Sequence, residues 1–213
     1  MFQGLELAAV IASAVYGVLL AHRHQMDLVG AYSLALVVSF GGGTIRDLCL
    51  DRTPLFWIHH YNYPIVVFAI AVAGSMFPRI THKTEPWLRI PDALGLGLFT
   101  IAGVESALAA ETSYFIAALF GVITGTFGGV IGDIICNRVP SLFRPAPMFA
   151  TCAFSGAWLY LLLQAMPGLQ RYAVVIATAF IVVFRIAALR WRLLQCGTLQ
   201  YCTVGCMVFL LGG

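Results

Sequence analysis

The chain has 213 residues, of which 61% are hydrophobic and only 10% charged, where a soluble domain carries about 25% charged. A soluble fold of this length cannot hide so much apolar surface, so lipid is the expected solvent and one compact membrane domain the expected product. The formal net charge of +3 is small, and no basic run forms a nucleic-acid footprint.

A membrane-spanning helix needs about 20 mostly apolar residues. Seven stretches qualify in chain order: 5–22, 28–50, 63–78, 91–110, 114–137, 147–166 and 171–190. Their connections gather the polar and helix-breaking residues, among them His22–Asp27, Asp51–Asn62, Pro78–Arg89 and Asn137–Pro147. The first span is expected to be retained rather than cleaved as a signal, since residues 1–6 lack the basic start such a segment carries.

The second span contains Gly41-Gly42-Gly43-Thr44-Ile45-Arg46-Asp47 and runs on to Arg52 and Pro54. The fifth contains Gly128-Gly129-Val130-Ile131-Gly132-Asp133 and runs on to Arg138 and Pro140. A shift of 86 residues superimposes six positions: Gly42/Gly128, Gly43/Gly129, Ile45/Ile131, Asp47/Asp133, Arg52/Arg138 and Pro54/Pro140. At the same shift Gly17 matches Gly103, and Glu6 is answered by another acid, Asp92.

Residues 5–78 and 91–166 therefore read as two three-helix repeats, with 171–190 an extra helix. Three is odd, so the second repeat enters from the opposite face, and the repeats are inverted about an axis in the membrane plane. The expected fold is an all-α integral membrane protein with seven transmembrane helices. Its domain spans 1–192, followed by an uncharged tail, 193–213, whose structure the sequence leaves open.

Basic residues set the expected orientation. One side receives Arg23, Arg79, Lys83, Arg89, Arg138, Arg144, Arg190 and Arg192; the other receives Arg46, Arg52 and Arg171. That asymmetry puts the N-terminus outside and the C-terminus in the cytoplasm of a plasma membrane.

The site is expected at the glycines. Helices 28–50 and 114–137 should break at Gly41–Gly43 and at Gly125, Gly128 and Gly129, because glycine weakens a helix by roughly 1 kcal/mol each. Carbonyls freed there could replace the hydration shell of a cation. Asp47 and Asp133 would each open the half-helix after the break, where a carboxylate is favoured and a cation is not. Arg46 therefore needs an anion, and Asp133 of the opposing repeat is the first choice. The three together are net negative, which favours cations. The competing reading is a structural ion network.

Glu105 lies mid-span with no basic residue within four positions, so it needs a distant partner or an aqueous cavity and is a candidate pore residue. Ser39, Thr44, Thr124 and Thr126 flank the glycines as candidate pore hydroxyls, or as ordinary helix–helix donors. Arg185 reads as a residue reaching from the membrane toward the headgroups near Arg190. The six cysteines and five histidines show no metal-type spacing, and no metal or cofactor is expected. A P-loop, a dinucleotide fingerprint, a nucleophile elbow and an HExxH are all absent from the sequence, so the chain does not read as an enzyme.

Met26-Asp27-Leu28-Val29-Gly30, the first glycine motif and Arg52-Thr53-Pro54-Leu55-Phe56-Trp57 resemble the prokaryotic members of the trimeric intracellular cation channel family. Those members overlap a bacterial membrane family often labelled as a glycine transporter. The resemblance covers about residues 4–192. It implies a homotrimer with one pore per protomer along kinked second and fifth helices, permeable to monovalent cations, chiefly K⁺. In the family the second motif often repeats the arginine, where this chain has Gly132, and many members carry a lysine near Ser106. The alternative reading is a secondary transporter of a small amino acid such as glycine, with Arg46 holding the substrate carboxylate.

Overall fold

The computed structural model describes residues 2–76, 85–143 and 148–191. Every regular element among them is helical: α1 (Phe2–Arg23), α2 (Leu28–Cys49), α3 (Phe56–His59), α4 (Asn62–Met76), α5 (Glu85–Ala109), α6 (Tyr114–Ile135), a 3₁₀ turn at Ser141–Phe143, α7 (Phe149–Ala165) and α8 (Gln170–Trp191). Each stretch expected to span contains one helix, and the short α3 was not foreseen. Five helices are long and apolar enough to cross a membrane: α1, α2, α5, α6 and α8. The other two long elements, α4 and α7, are apolar but have only 15 and 17 residues. The tail 193–213 and the orienting residues Arg79, Lys83, Arg144 and Arg192 lie outside the described residues.

The sequence repeat is also a repeat of backbone conformation. Asp27 caps α2 by accepting from the Gly30 N–H at 2.7 Å, and Ser113 caps α6 by accepting from the Ile116 N–H at 3.5 Å. Both cap residues and both donors stand 86 positions apart. Both helices run 22 residues and are C-capped by Leu50 and Cys136, again 86 apart. The left-handed residues form matching pairs, Gln25 with Glu111 (φ 54° and 55°) and Asp51 with Asn137 (φ 51° and 52°). A residue of that kind stops a helix and turns the chain. After the second of them the Arg52 N–H bonds the Asp47 carbonyl at 2.8 Å, as the Arg138 N–H bonds that of Asp133 at 2.9 Å.

One expectation is overturned. Both α2 and α6 run as unbroken α-helix through Gly41, Gly42 and Gly43 and through Gly125, Gly128 and Gly129. An uninterrupted helix keeps its carbonyls in its own ladder, so there is no carbonyl-lined break. The glycines serve close packing instead. A Cβ on Gly42 would collide with the Thr124 carbonyl oxygen, and one on Gly128 with that of Val38. Thr124 is the 86-residue counterpart of Val38, so the contact is reciprocal: each helix lays the same bare Cα on the same carbonyl of the other. Gly42 meets Thr124, Gly128 meets Val38, and Gly132 faces Leu34 and Val38. The numbering rises on one helix as it falls on the other, so α2 and α6 cross antiparallel. Small residues that let backbones approach are the usual device of helix packing in lipid.

Around this crossing α1 packs on α2 and α5 on α6, with α1 against α5 across the middle. The helix α4 covers α1 and α2, while α7 and α8 cover α5 and α6. Three apolar clusters result, the smallest around Leu20, Leu34 and Val38. Of the larger two, one forms around Val10, Val67 and Phe99, and the other around Leu96, Ile101, Tyr160 and Ile181.

Candidate ion pathway

The antiparallel crossing puts the C-terminal ends of α2 and α6 on opposite sides, and each end carries a charged cluster. In the first, the Arg46 Nε donates to Asp47 Oδ1 at 2.8 Å and Nη2 to Glu6 Oε1 at 3.3 Å. The Arg46 guanidinium lies 5.3 Å from the centre of the Phe56 ring, a cation–π distance. The other Asp47 oxygen accepts from the Phe56 N–H at 2.8 Å, which ties the loop after α2 back onto the helix. Trp57 Nε1 donates to Thr44 Oγ1 at 3.1 Å and its ring stacks on Phe40. Arg46 is 1% exposed, and its Nη1 has no hydrogen-bond partner among the described residues.

This corrects the expected pairing of Arg46 with Asp133. Asp133 ends the opposing helix on the far side of the crossing, whereas Glu6 of the same repeat stands within reach. Because α2 is unbroken, Arg46 also sits in a last turn, where a cation is favoured. The objection that called for a distant anion disappears.

In the second cluster, Asp133 Oδ2 accepts from both the Ser141 N–H and hydroxyl at 2.8 Å. This tie matches the one Asp47 makes to Phe56. Asp92, the counterpart of Glu6, receives Arg185 Nη2 at 3.4 Å. The Arg185 guanidinium stacks 3.9 Å from the centre of the Phe149 ring. Arg185 is 3% exposed, so it does not reach out to the headgroups: an acid on α5 holds it inside.

The second cluster opens on a cavity of about 290 Å³ whose walls include Tyr16, Arg89, Asp92, Asp133, Arg138 and Arg185. Two smaller voids of about 10 and 20 Å³ continue inward, each about the size of one water. All three share Tyr16 and Asp92. The smaller ones reach Thr126 and Gly129, then Thr124, Gly128 and Val38 at the crossing itself. Glu6, Arg46 and Asp47 line none of the three. Among the described residues a path thus enters from the Asp92–Asp133 side and narrows as far as the crossing, while the buried Glu6, Arg46 and Asp47 of the first cluster line none of its cavities.

The remaining candidates divide. Thr124 and Thr126 border the path, although their hydroxyls bond the Phe120 and Val122 carbonyls of their own helix at 2.7 Å each. Ser39 donates to the Val10 carbonyl at 3.4 Å and, like Thr44, lies off the path. Glu105 also lies off it, since Glu105 Oε1 accepts from the Tyr160 hydroxyl at 2.7 Å, and Gln164 Nε2 donates to that hydroxyl at 2.5 Å. A tyrosine on α7 supplies the partner that the sequence could not name. Tyr16, Asp92 and Arg185 were not anticipated as site residues. Asp92 had a signal, as the acid matching Glu6, and so had Arg185, as a charge inside an apolar span; Tyr16 had none.

Known proteins resemble the chain throughout this region. A family model described as "Glycine transporter" matches residues 3–79 and 89–165, two stretches that begin 86 residues apart. A UPF0126 membrane protein of Vibrio cholerae is 36% identical over 190 residues, 89% of this chain and 79% of that one. The UPF0126 inner membrane protein YadS of Escherichia coli K12 is 32% identical over 196 residues, 89% of this chain and 92% of its own. Among solved structures, the TRIC trimeric intracellular cation channel orthologue from Rhodobacter sphaeroides superimposes with a TM-score of 0.84 at 34% identity, covering 90% of this chain and 98% of that one. A prokaryotic TRIC channel crystallised in 0.5 M KCl does so with a TM-score of 0.82 at 25% identity, covering 90% and 96%.

Proposed function

The chain belongs to the family whose model is described as Glycine transporter, and from that membership and its likeness to TRIC channels we propose that it is a K⁺-permeable monovalent cation channel. Each protomer holds its own pore beside the α2–α6 crossing, in a homotrimer within a bacterial inner membrane. Seven helices cross the bilayer as two inverted repeats plus α8, with the N-terminus outside. The reciprocal contact of Gly42 with Thr124 and of Gly128 with Val38 supports the inversion, since matching residues meet in this way across a two-fold axis.

One observation carries the channel reading. Charged and polar cavities run from the Asp92–Asp133 cluster to the crossing, in a chain where lipid would make buried charge costly, about 2.5–3.5 kcal/mol per residue at a helix centre. Asp92 and Asp133 supply the anionic groups that would draw cations along that path, set among Arg23, Arg89, Arg138 and Arg185 of the same cavity wall, and the buried Glu6–Arg46–Asp47 cluster would act as its latch. Single-channel recording in planar bilayers under a K⁺ gradient tests this, with glycine added midway. Discrete K⁺-selective steps indifferent to glycine are expected.

The second reading, a transporter of a small amino acid, draws on the same geometry, since a path open on one side and shut on the other is also what alternating access requires. Silent bilayers with saturable glycine exchange in liposomes would favour it.

A further inference from the structure

The two charged clusters are built alike except for the origin of their cation. In the first repeat, an acid from the first helix, Glu6, and an acid from the last turn of the second, Asp47, share Arg46. The second repeat keeps both acids, as Asp92 and Asp133, but Gly132 stands where Arg46 should recur. That position has no room for an arginine leaving α6: a Cβ there would already lie 2.7 Å from Val38 Cγ2. The guanidinium arrives instead from α8, which has no counterpart in the repeat. Arg185 bonds Asp92, lies over an aromatic face as Arg46 does, and is buried to nearly the same degree, 3% against 1% exposed.

Building on the channel reading, we propose that Arg185 is the gating cation of the second repeat. Docked on Asp92, it cancels one of the two carboxylates of the 290 Å³ cavity and adds to the positive lining that Arg23, Arg89 and Arg138 already supply, which repels incoming cations. When α8 shifts away from α5, Asp92 is released beside Asp133, the two carboxylates offset Arg23, Arg89 and Arg138 more fully, and cation entry is eased. Arg46 shares its helix with Asp47 and hydrogen-bonds to it, so the first cluster moves with α2. The second is governed by a helix outside the repeats, so it carries a control that the first lacks.

The test reads the charge of the cavity without requiring any current. Leu88 lines the same cavity, and a Leu88→Cys variant of the full chain, with its native cysteines replaced, reports the local potential. The readout is its rate of modification by cationic against anionic methanethiosulfonate reagents. Arg185→Gln should raise the cationic-to-anionic rate ratio about five-fold, as removal of a nearby positive charge demands, while Arg185→Lys should stay near the parent. An unchanged ratio, with or without a lower melting temperature, would mean that Arg185 sets no potential in the cavity, and that result overturns the proposal. In bilayers, Arg185→Gln should raise the open probability for K⁺, and exchanging the pair as Asp92→Arg with Arg185→Asp should bring it back. A wild-type protein that passes no K⁺ counts against the channel reading alone, because the labelling ratio still decides the role of Arg185.

Discussion

Arg46 is the residue on which the first cluster closes, since it answers to Glu6 and Asp47 together. Arg46→Ala leaves two buried carboxylates facing each other without a cation, and breaking a buried pair in this way costs roughly 3–5 kcal/mol. The expected result is a large fall in the thermal unfolding midpoint in detergent, partly recovered in Arg46→Lys, whose ammonium lacks the planar fork. A variant that melts with the wild type would show the pairing to be inert. The combined Asp47→Asn and Asp133→Asn change is a test of another kind. Asparagine keeps an acceptor oxygen for the Phe56 and Ser141 N–H groups but removes the charge. K⁺ flux should drop with the fold retained, and unchanged conductance and selectivity would remove the two aspartates from the pathway. The motif made Arg46, Asp47 and Asp133 legible in the sequence, because charge in an apolar run stands out. Their partners were not, since the contacts of Glu6 with Arg46 and of Asp92 with Arg185 span 40 and 93 residues of chain.

At the scale of the element, length and hydropathy located every long helix, and the repeat aligned their caps. The glycine runs were read as breaks because glycine lowers helix propensity, but in lipid the same residues also let helices touch. Sequence cannot choose between these meanings until the opposing helix is known. Substitution separates them. Gly42→Ala and Gly128→Ala place a methyl group against a carbonyl of the other helix, and overpacking of this kind costs typically about 1–3 kcal/mol. Gly129→Ala meets nothing within 4 Å and adds helix propensity, so it should be neutral or stabilising by up to about 1 kcal/mol. Melting curves of the three would check this, and equal losses at all of them would mean that the glycines are needed for something other than the crossing.

For the whole molecule, reporter fusions after α1 and after α2 should fall on opposite sides, with the loop after Arg23 cytoplasmic; the reverse result would overturn the orientation drawn from basic residues. Composition made the membrane setting evident, whereas the match of a closed end to an open one emerged only from packing, because it depends on which side chains happen to share a void. The bare crossing of Gly42 and Gly128 has a mechanical consequence. Two helices whose closest contacts are backbone to backbone have few interlocked side chains at their centre, so the joint resists pulling apart more than it resists swivelling. It is a fulcrum, and Asp47 and Asp133 lie on opposite arms of the lever. A small tilt that loosens one end tightens the other, and the stiffness of that see-saw depends on the absence of two methyl groups.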